Sequence, residues 1–539
     1  MRSRPAPFVL AFVVTLAPIV FADTYPRQPA VDAVHYQFAV TVSEDSPRIE
    51  GETTATLRLV SAVREVQFDL KSEASGKGMT VSRVTSDNRD VAFEHRADRL
   101  RVTLPENTQP GADVSLAIRY SGVPADGLVP LANMHGQRVW FSEGWPNKLR
   151  NWLPVIDHPS DKATCDMIVT APADRQVVSN GVLVEELDLP DGRRRTHWKQ
   201  SVPLATWLFA IGIARFDVHH AGLVNGIPLQ TWVYPEERDA GRAVFEEMSR
   251  RALEFFSDRI GPYPYQKLAN VQAAGYSGGM ENATTIFYGE KGVAAGRAPV
   301  VHEIAHQWFG NSVTERDWDD VWLSEGFATY FALLYTEHYE GREAFVAGLL
   351  RSRAAILDLD RKMPDTPVIH RNLSDMEKVI NQLVYQKGGW TLHMLRQEIG
   401  LDAFWTGIRD YYRTFRDGNA STDDLRQAMQ RAAGGKELGW FFDQWLRRPG
   451  LPSIEGSWRY NEPRHMVEVT LAQKQPTAFR LTAEIGIRMG SAEAVRIERI
   501  DLREARQTFT WPLTTAPESV VFDPNVTLLA EYKPLARQQ

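Results

Sequence analysis

The chain has 539 residues, of which 43% are hydrophobic and 24% are charged, as expected for a globular protein with more than one domain. A formal net charge of -7, with no block of lysines or arginines, excludes the basic footprint of a nucleic-acid-binding protein. Cys165 is the only cysteine, which excludes an intrachain disulfide and a metal cluster held by several thiolates.

Residues 1–22 are predicted to be a secretory signal peptide. Arg2 and Arg4 give a positive start, residues 8–20 are apolar, and Ala22 supplies a small residue at the cleavage position. The apolar run is short for a membrane-spanning helix, although an uncleaved anchor is the alternative. We expect an exported protein, periplasmic or extracellular, that has no membrane contact once the signal is cleaved.

Residues 23–217 are predicted to form an N-terminal β domain. Apolar and polar side chains alternate with a period of two, as in residues 36–42. Turn pairs such as Asn180-Gly181 and Asp191-Gly192 separate these runs.

Residues 218–449 are predicted to form a mainly helical domain. The apolar spacing changes to that of a helix at about residue 239, and residues 421–424 (Ser-Thr-Asp-Asp) are typical of a capping box that opens a helix. The strand period then returns, and residues 450–539 are predicted to form a β-sandwich.

A candidate zinc site lies in the helical region. His302 and His306 are four residues apart, so on a helix they share one face and can bind one ion. Glu303 is placed to take a proton from a metal-bound water as general base. Glu325, with eighteen residues between it and His306, is the predicted third ligand, so we expect one Zn²⁺ per chain.

Two further stretches carry groups that suit a peptide ligand. In residues 278–282 (Gly-Gly-Met-Glu-Asn) the glycines allow close approach of an extended chain, and Glu281 offers a carboxylate to a cation. Taken alone, this stretch also fits a glycine-rich turn with a solvated glutamate. Tyr385, which opens Tyr-Gln-Lys-Gly, can donate a hydrogen bond to an oxyanion, or it can be a core tyrosine.

Together, the ordered motifs GGMEN, HEIAHQWFGN, WLSEGF and YQKG resemble the aminopeptidase N family of zinc metallopeptidases, the gluzincins, which include the leukotriene-A hydrolases. The similarity extends over essentially the whole mature chain, including residues 150–159 and 442–450. The resemblance implies a multidomain α+β fold: an N-terminal β-saddle domain, a thermolysin-like, mainly helical catalytic domain and a C-terminal β-sandwich.

The resemblance also implies a role for each site residue. Zinc is held by His302, His306 and Glu325. The catalytic residues are Glu303, as the base, and Tyr385, which stabilises the tetrahedral intermediate. The substrate-binding residues are Gly278, Gly279, Met280, Glu281, Asn282 and Glu143. Within this set Glu281 binds the free α-amine, and Glu143 is a second amine-binding residue, for which a surface glutamate is the alternative.

Three departures from the family pattern bear on these expectations. Ser324 stands where an asparagine is usual before the ligand glutamate, which changes a hydrogen bond near the metal. Val155 stands where relatives carry a cysteine. Longer relatives continue into a large helical domain that covers the active site, so a more open cleft is expected here.

The implied activity is hydrolysis of the N-terminal peptide bond of peptides with a free N-terminus. A zinc endopeptidase or an epoxide hydrolase on the same scaffold is an alternative, because each would use the same zinc chemistry. A non-catalytic peptide-binding protein is a further alternative, which the intact set of ligands, Glu303 and Tyr385 disfavours.

Overall fold

The computed structural model describes residues 27–105, 108–369, 375–490 and 495–538. The predicted signal peptide therefore lies outside the described residues. Among the helices in these ranges, none has both the length and the apolar character needed to cross a membrane.

The N-terminal region is built from strands. They are β1 (Val31–Ser43), β2 (Ser46–Leu59), β3 (Glu65–Asp69), β4 (Gly78–Ser86), β5 (Arg89–Asp90), β6 (Phe93–Arg96), β7 (Arg99–Thr103), β8 (Asp113–Val123), β9 (Leu131–Ala132), β10 (Arg138–Phe141), β11 (Lys162–Pro172), β12 (Gln176–Ser179), β13 (Val182–Asp188), β14 (Arg193–Ala205) and β15 (Ile211–Ala214). The largest sheet has the order β13-β14-β11-β1-β2-β8-β4-β5, and smaller sheets have the orders β12-β15-β10-β9 and β3-β7-β6. Tyr36, Phe38 and Val40 of β1 are buried, as their alternation with polar neighbours predicts.

The central region begins with a sheet and continues as helices. The strands are β16 (Asp217–Val224), β17 (Ile227–Val233), β18 (Leu268–Ala273), β19 (Gly279–Met280), β20 (Thr285–Gly289), β21 (Thr314–Glu315) and β22 (Asn419–Ala420). The helices are α1 (Arg238–Arg259), α2 (Glu290–Ala294), α3 (Val300–His306), α4 (Trp322–Tyr339), α5 (Arg342–Lys362), α6 (Gln382–Ile399), α7 (Leu401–Phe415), α8 (Thr422–Ala432) and α9 (Gly439–Phe442).

The sheet of this central region has the order β16-β17-β18-β20-β19, so β19 is an edge strand. The sequence did not predict this sheet. Every residue of β18 and β20 is buried, and strands covered on both faces lack the two-residue alternation that identifies a strand in a sequence.

The C-terminal region forms two sheets around one core. Its strands are β23 (Ser453–Asn461), β24 (Met466–Gln473), β25 (Leu481–Arg488), β26 (Arg496–Leu502), β27 (Arg506–Pro512), β28 (Ser519–Phe522), β29 (Glu531–Tyr532) and β30 (Ala536–Arg537). The sheet orders are β27-β24-β23-β29, with β30 also paired to β23, and β26-β25-β28. Val467, Leu471 and Ile485 are fully buried in this core. The predicted multidomain α+β class is confirmed, and the boundaries at residues 217 and 449 stay predictions.

Candidate active site

Two helices present three ligand atoms to one point. Helix α3 carries His302 and His306, and the first turn of α4 carries Glu325. The Nε2 atoms of the two histidines lie 3.1 Å apart. Glu325 Oε2 lies 3.4 Å from Nε2 of His302 and 3.3 Å from Nε2 of His306. The structure thus brings together the three residues predicted as metal ligands.

These distances fit a tetrahedral zinc ion. With metal–ligand bonds of about 2.0–2.1 Å, neighbouring corners of a tetrahedron lie about 3.3 Å apart. The buried Oε2 of Glu325 has no hydrogen-bond partner among the described residues, as expected of an atom that ligates a cation. Two imidazoles and one carboxylate that line one cavity are the ligand set of a catalytic zinc site.

The charges of these groups also suit a cation. Burial lowers the pKa of His302, which favours the neutral imidazole that ligates a metal. Burial raises the pKa of Glu325, but the neighbouring histidines lower it by more, so that the pKa is about 2 and the carboxylate is ionised. Burial also lowers the pKa of His306, yet the nearby Glu281 and Glu325 raise it to about 10. A bound dication would replace that proton.

The Nδ1 atom of His306, on the side of the ring away from the metal ligands, has two polar contacts that orient the ring. Its Nδ1 lies 3.1 Å from Ser324 Oγ and 3.2 Å from the backbone oxygen of Phe309. A proton on Nδ1 that is donated to this carbonyl leaves Nε2 free to ligate. Gly310 makes room for the contact, since a Cβ there would lie 2.2 Å from Ser324 Oγ. Ser324, which departs from the family pattern, thus keeps a polar contact with the ligand.

Glu303 lies directly against the edge strand β19. It is buried, and a Cβ on Gly279 would lie 2.3 Å from its Oε1. Burial raises the pKa of Glu303 well above its usual range, and the carboxylates of Glu281 and Glu325 add to this effect. Once a neighbouring cation keeps it ionised, a carboxylate in this environment is a stronger proton acceptor than one in water, as a general base requires.

We expect Gly279→Ala to lower kcat by about 10²-fold, because the new methyl group would displace the carboxylate of Glu303, and a shift of about 1 Å in a catalytic group has that scale of effect. The control is Gly490→Ala, outside the site, where an added Cβ also meets nothing within 4 Å. Steady-state kinetics on both variants, with zinc content measured alongside, checks this expectation. Equal kcat values for the two variants would contradict it.

Glu281 follows β19 and is held by the metal-binding motif itself. Its backbone oxygen accepts hydrogen bonds from Gln307 Nε2 at 3.0 Å and from Asn311 Nδ2 at 2.7 Å. One potential ligand atom from each of Glu281, Glu303 and His306 lies within 4.8 Å of the other two. Burial raises the pKa of Glu281 to about 7, and a cationic ligand would favour its ionised form.

Tyr385, on α6, faces the metal ligands. Its ring is stacked on that of His302, with the ring centroids 6.2 Å apart. Burial raises the pKa of the phenol, as does the neighbouring Glu325, so the hydroxyl stays protonated and can donate. The helices α4 and α6 approach closely at glycines, since a Cβ on Gly326 would lie 2.9 Å from the carbonyl carbon of Gly388. The glycines after Tyr385 therefore bring the phenol close to the metal ligands.

The site opens into a cavity of about 700 Å³ that both the N-terminal and the central regions line. Glu143 lines it, and its Oε1 accepts a hydrogen bond from the backbone N–H of Trp145 at 3.0 Å. Glu143 is half-buried, and burial raises its pKa. Tyr276 joins the two regions, because its hydroxyl donates to the backbone oxygen of Ser142 at 2.6 Å.

The predicted substrate-binding residues do not all reach this cavity. Gly278, Gly279, Met280 and Glu281 line it, whereas Asn282 is fully buried and is not among the lining residues.

Sequence reasoning missed several residues of the site. Gln307 and Asn311 lie inside the zinc motif, so the sequence places them near the metal ligands, but it does not predict their hydrogen bonds to Glu281. Trp145, Tyr276 and Ile380 also line the cavity. No signal in the sequence distinguishes these three from ordinary core residues.

This fold and this site define a protein with a mononuclear centre of the zinc-hydrolase class. Residues 32–208 match the Peptidase M1 N-terminal domain, and residues 245–445 match the Peptidase family M1 domain. The chain belongs to the M1 peptidase family, as its motifs predicted, and the cofactor of this family is zinc.

Named relatives and solved structures agree with this assignment. The chain is 24% identical to glutamyl aminopeptidase of Rattus norvegicus over 83% of its own length and 50% of that protein. It is 24% identical to probable aminopeptidase 1 of Saccharolobus solfataricus, over 80% of this chain and 57% of that one. The chain thus spans about half the length of these relatives.

Among solved structures, an M1 zinc metallopeptidase from Deinococcus radiodurans superposes with a TM-score of 0.68 at 28% identity, over 78% of this chain and 95% of that one. A point mutant of that peptidase, at 26% identity, was solved with a Tyr-Ser-Ala substrate bound. The fold is also shared with Legionella pneumophila aminopeptidase A, at a TM-score of 0.80 and 18% identity, over 94% of this chain and 60% of that one.

Proposed function

We propose that this protein is a zinc-dependent aminopeptidase that hydrolyses the N-terminal peptide bond of oligopeptides. The observation that carries the proposal is a pair of carboxylates, the half-buried Glu143 and the buried Glu281, in the same cavity as the metal ligands. Buried carboxylates are stable as charges only beside a cation, and a peptide's free α-ammonium supplies one. The peptide bound to the Deinococcus radiodurans relative supports a peptide as the class of substrate.

In the proposed reaction the metal ligands, Glu303 and Tyr385 have separate roles. Zinc bound by His302, His306 and Glu325 would polarise the scissile carbonyl and lower the pKa of water. Glu303 accepts the proton of the attacking water and delivers it to the leaving amine. Tyr385 donates its hydroxyl to the oxygen on which negative charge develops.

Several relatives are named glutamyl aminopeptidases, but we do not expect this chain to prefer an acidic N-terminal residue. The described residues that line the cavity include Glu143 and Glu281 but no lysine or arginine. An acidic N-terminal side chain would therefore meet like charge. A neutral N-terminal residue, such as leucine, is the appropriate choice for a first assay.

The test is whether cleavage requires a free amine. We expect N-acetylation of a leucyl peptide to abolish its cleavage, because the amide brings no charge and adds bulk at Glu281. Glu281→Ala should lower kcat/KM for the free peptide by an amount equivalent to about 2–5 kcal/mol of transition-state stabilisation, the scale for removing one side of a buried charge pair. The assay is kcat/KM for the free and acetylated peptides with both proteins.

Equal cleavage of the two peptides by the wild-type protein would contradict an aminopeptidase and favour the endopeptidase alternative. Zinc binding without cleavage of any peptide, but with opening of an epoxide substrate, would favour the epoxide hydrolase. Glu143→Ala is expected to lower kcat/KM in the same direction as Glu281→Ala, and an unchanged value would remove Glu143 from the amine site.

A further inference from the structure

A second cavity, of about 460 Å³, adjoins the active site on the side of α4 and α5. It shares His302 and Tyr385 with the first cavity, so the two meet at the metal ligands. Glu143 and Glu281 line only the first cavity. If those carboxylates bind the peptide's α-amine, the second cavity lies on the other side of the scissile bond. It would therefore receive the part of the peptide that is released with a new N-terminus.

The second cavity follows one face of α4. Thr329 lies four residues after the ligand Glu325, and Leu333 and Thr336 continue the same face at helical spacing. A peptide that leaves the metal ligands along this face meets Thr329 and Gln386, and also Thr336, whose hydroxyl already donates to the backbone oxygen of Ala332 at 3.2 Å. These groups can hydrogen-bond to a peptide backbone.

Helix α5 forms the other wall and fixes the position of a cation. It follows α4 after a two-residue turn and runs back along it, with Gly348 against Leu333: a Cβ on this glycine would lie 2.5 Å from Leu333 Cδ2. Arg351 Nη2 is turned toward Gly348, 3.8 Å from where a Cβ on that glycine would lie, and in this antiparallel register the backbone of Arg351 is level with about Tyr330, five residues beyond Glu325. At about 1.5 Å per residue that is about 7–8 Å along the helix axis.

Arg351 is also the one lysine or arginine among the described residues that line the two cavities. Its side chain is exposed, and no carboxylate of the described residues forms an ion pair with it. The other arginines of α5 are engaged: Arg342 with Glu337, Arg353 with Tyr532 and Arg361 with Glu531. The guanidinium of Arg351 is therefore available to a ligand.

We propose that Arg351 binds a carboxylate on the leaving side of the cleaved bond. An extended peptide advances by about 3.3–3.6 Å per residue, so a distance of about 7–8 Å corresponds to two residues. The C-terminal carboxylate of a dipeptide or tripeptide therefore comes within reach of the long arginine side chain, and a planar guanidinium matches a carboxylate. The inference rests on the proposed function and makes short peptides its substrate class.

The test compares Leu-Ala-Ala with its C-terminal amide. The wild-type protein should cleave the acid with a kcat/KM about 10-fold above that of the amide, the scale of one partly exposed charge-assisted contact. In Arg351→Gln this ratio should fall to about 1. The matched control is Arg361→Gln, which removes the same charge from the same helix outside the cavity and should keep the wild-type ratio.

A binding measurement separates contact from turnover. In the Glu303→Gln background, calorimetry should give a Kd for Leu-Ala-Ala about 10-fold weaker when Arg351→Gln is added. Leu-Asp-Ala-amide identifies the source of the carboxylate: a loss confined to this peptide would assign Arg351 to an acidic side chain, and a loss confined to Leu-Ala-Ala to the C-terminus.

The inference is overturned if Arg351→Gln changes neither the acid-to-amide ratio of kcat/KM nor the Kd of either peptide. Peptide cleavage, and with it the proposed function, would still stand in that case. Failure of the zinc-loaded wild-type protein to cleave any of the peptides would overturn the proposed function and the inference together.

Discussion

Glu325→Ala should lose zinc and activity together, from about one ion per chain to well below stoichiometry. The substitution removes one corner of the three-atom set and leaves two histidines whose Nε2 atoms lie 3.1 Å apart. Two imidazoles alone do not make the three-ligand site on which catalytic zinc depends. Elemental analysis of the purified variant after dialysis, with hydrolysis of a leucyl peptide measured on the same sample, checks both effects.

The control for this variant is Glu340→Ala, which removes an exposed carboxylate at the C-terminal end of the same helix. It should keep full zinc and activity. If Glu325→Ala retained one zinc per chain, Glu325 would not be a metal ligand.

Glu303→Gln should keep zinc but lower kcat by at least about 10²-fold, the lower end for loss of a general base. Glutamine has the shape of glutamate, so the packing against Gly279 should be preserved while the proton acceptor is removed. The measurement is kcat on the free leucyl peptide together with the zinc content. Turnover near that of the wild type would show that another group accepts the proton.

The metal ligands could be predicted from the sequence because their chemistry follows from local spacing. A separation of four residues places His302 and His306 on one helix face, whatever the rest of the fold does. The capping box predicted at residues 421–424 is also local, and it forms as expected: the Ser421 side chain and the Asp424 side chain each bond the other's backbone. Features of this kind depend on a few neighbouring residues.

Features set by distant parts of the chain could not be predicted in the same way. Asn180-Gly181 has the sequence of a hairpin turn, yet it connects β12 and β13, which belong to different sheets. The side chain of Asn180 is buried and donates to the backbone oxygens of Leu208 and Ala283. The contacts of Gln307 with Glu281 and of Arg351 with the second cavity are equally long-range, and no local pattern encodes them.

Glu143 comes from the N-terminal β region, whereas the zinc ligands and Glu303 all come from α3 and α4. Under the proposed function, the two carboxylates that bind the end of a peptide therefore come from different regions, because Glu281 follows β19 in the central region. In the proposed aminopeptidase, selectivity for chain ends is thus shared between two regions of the scaffold and does not belong to one loop.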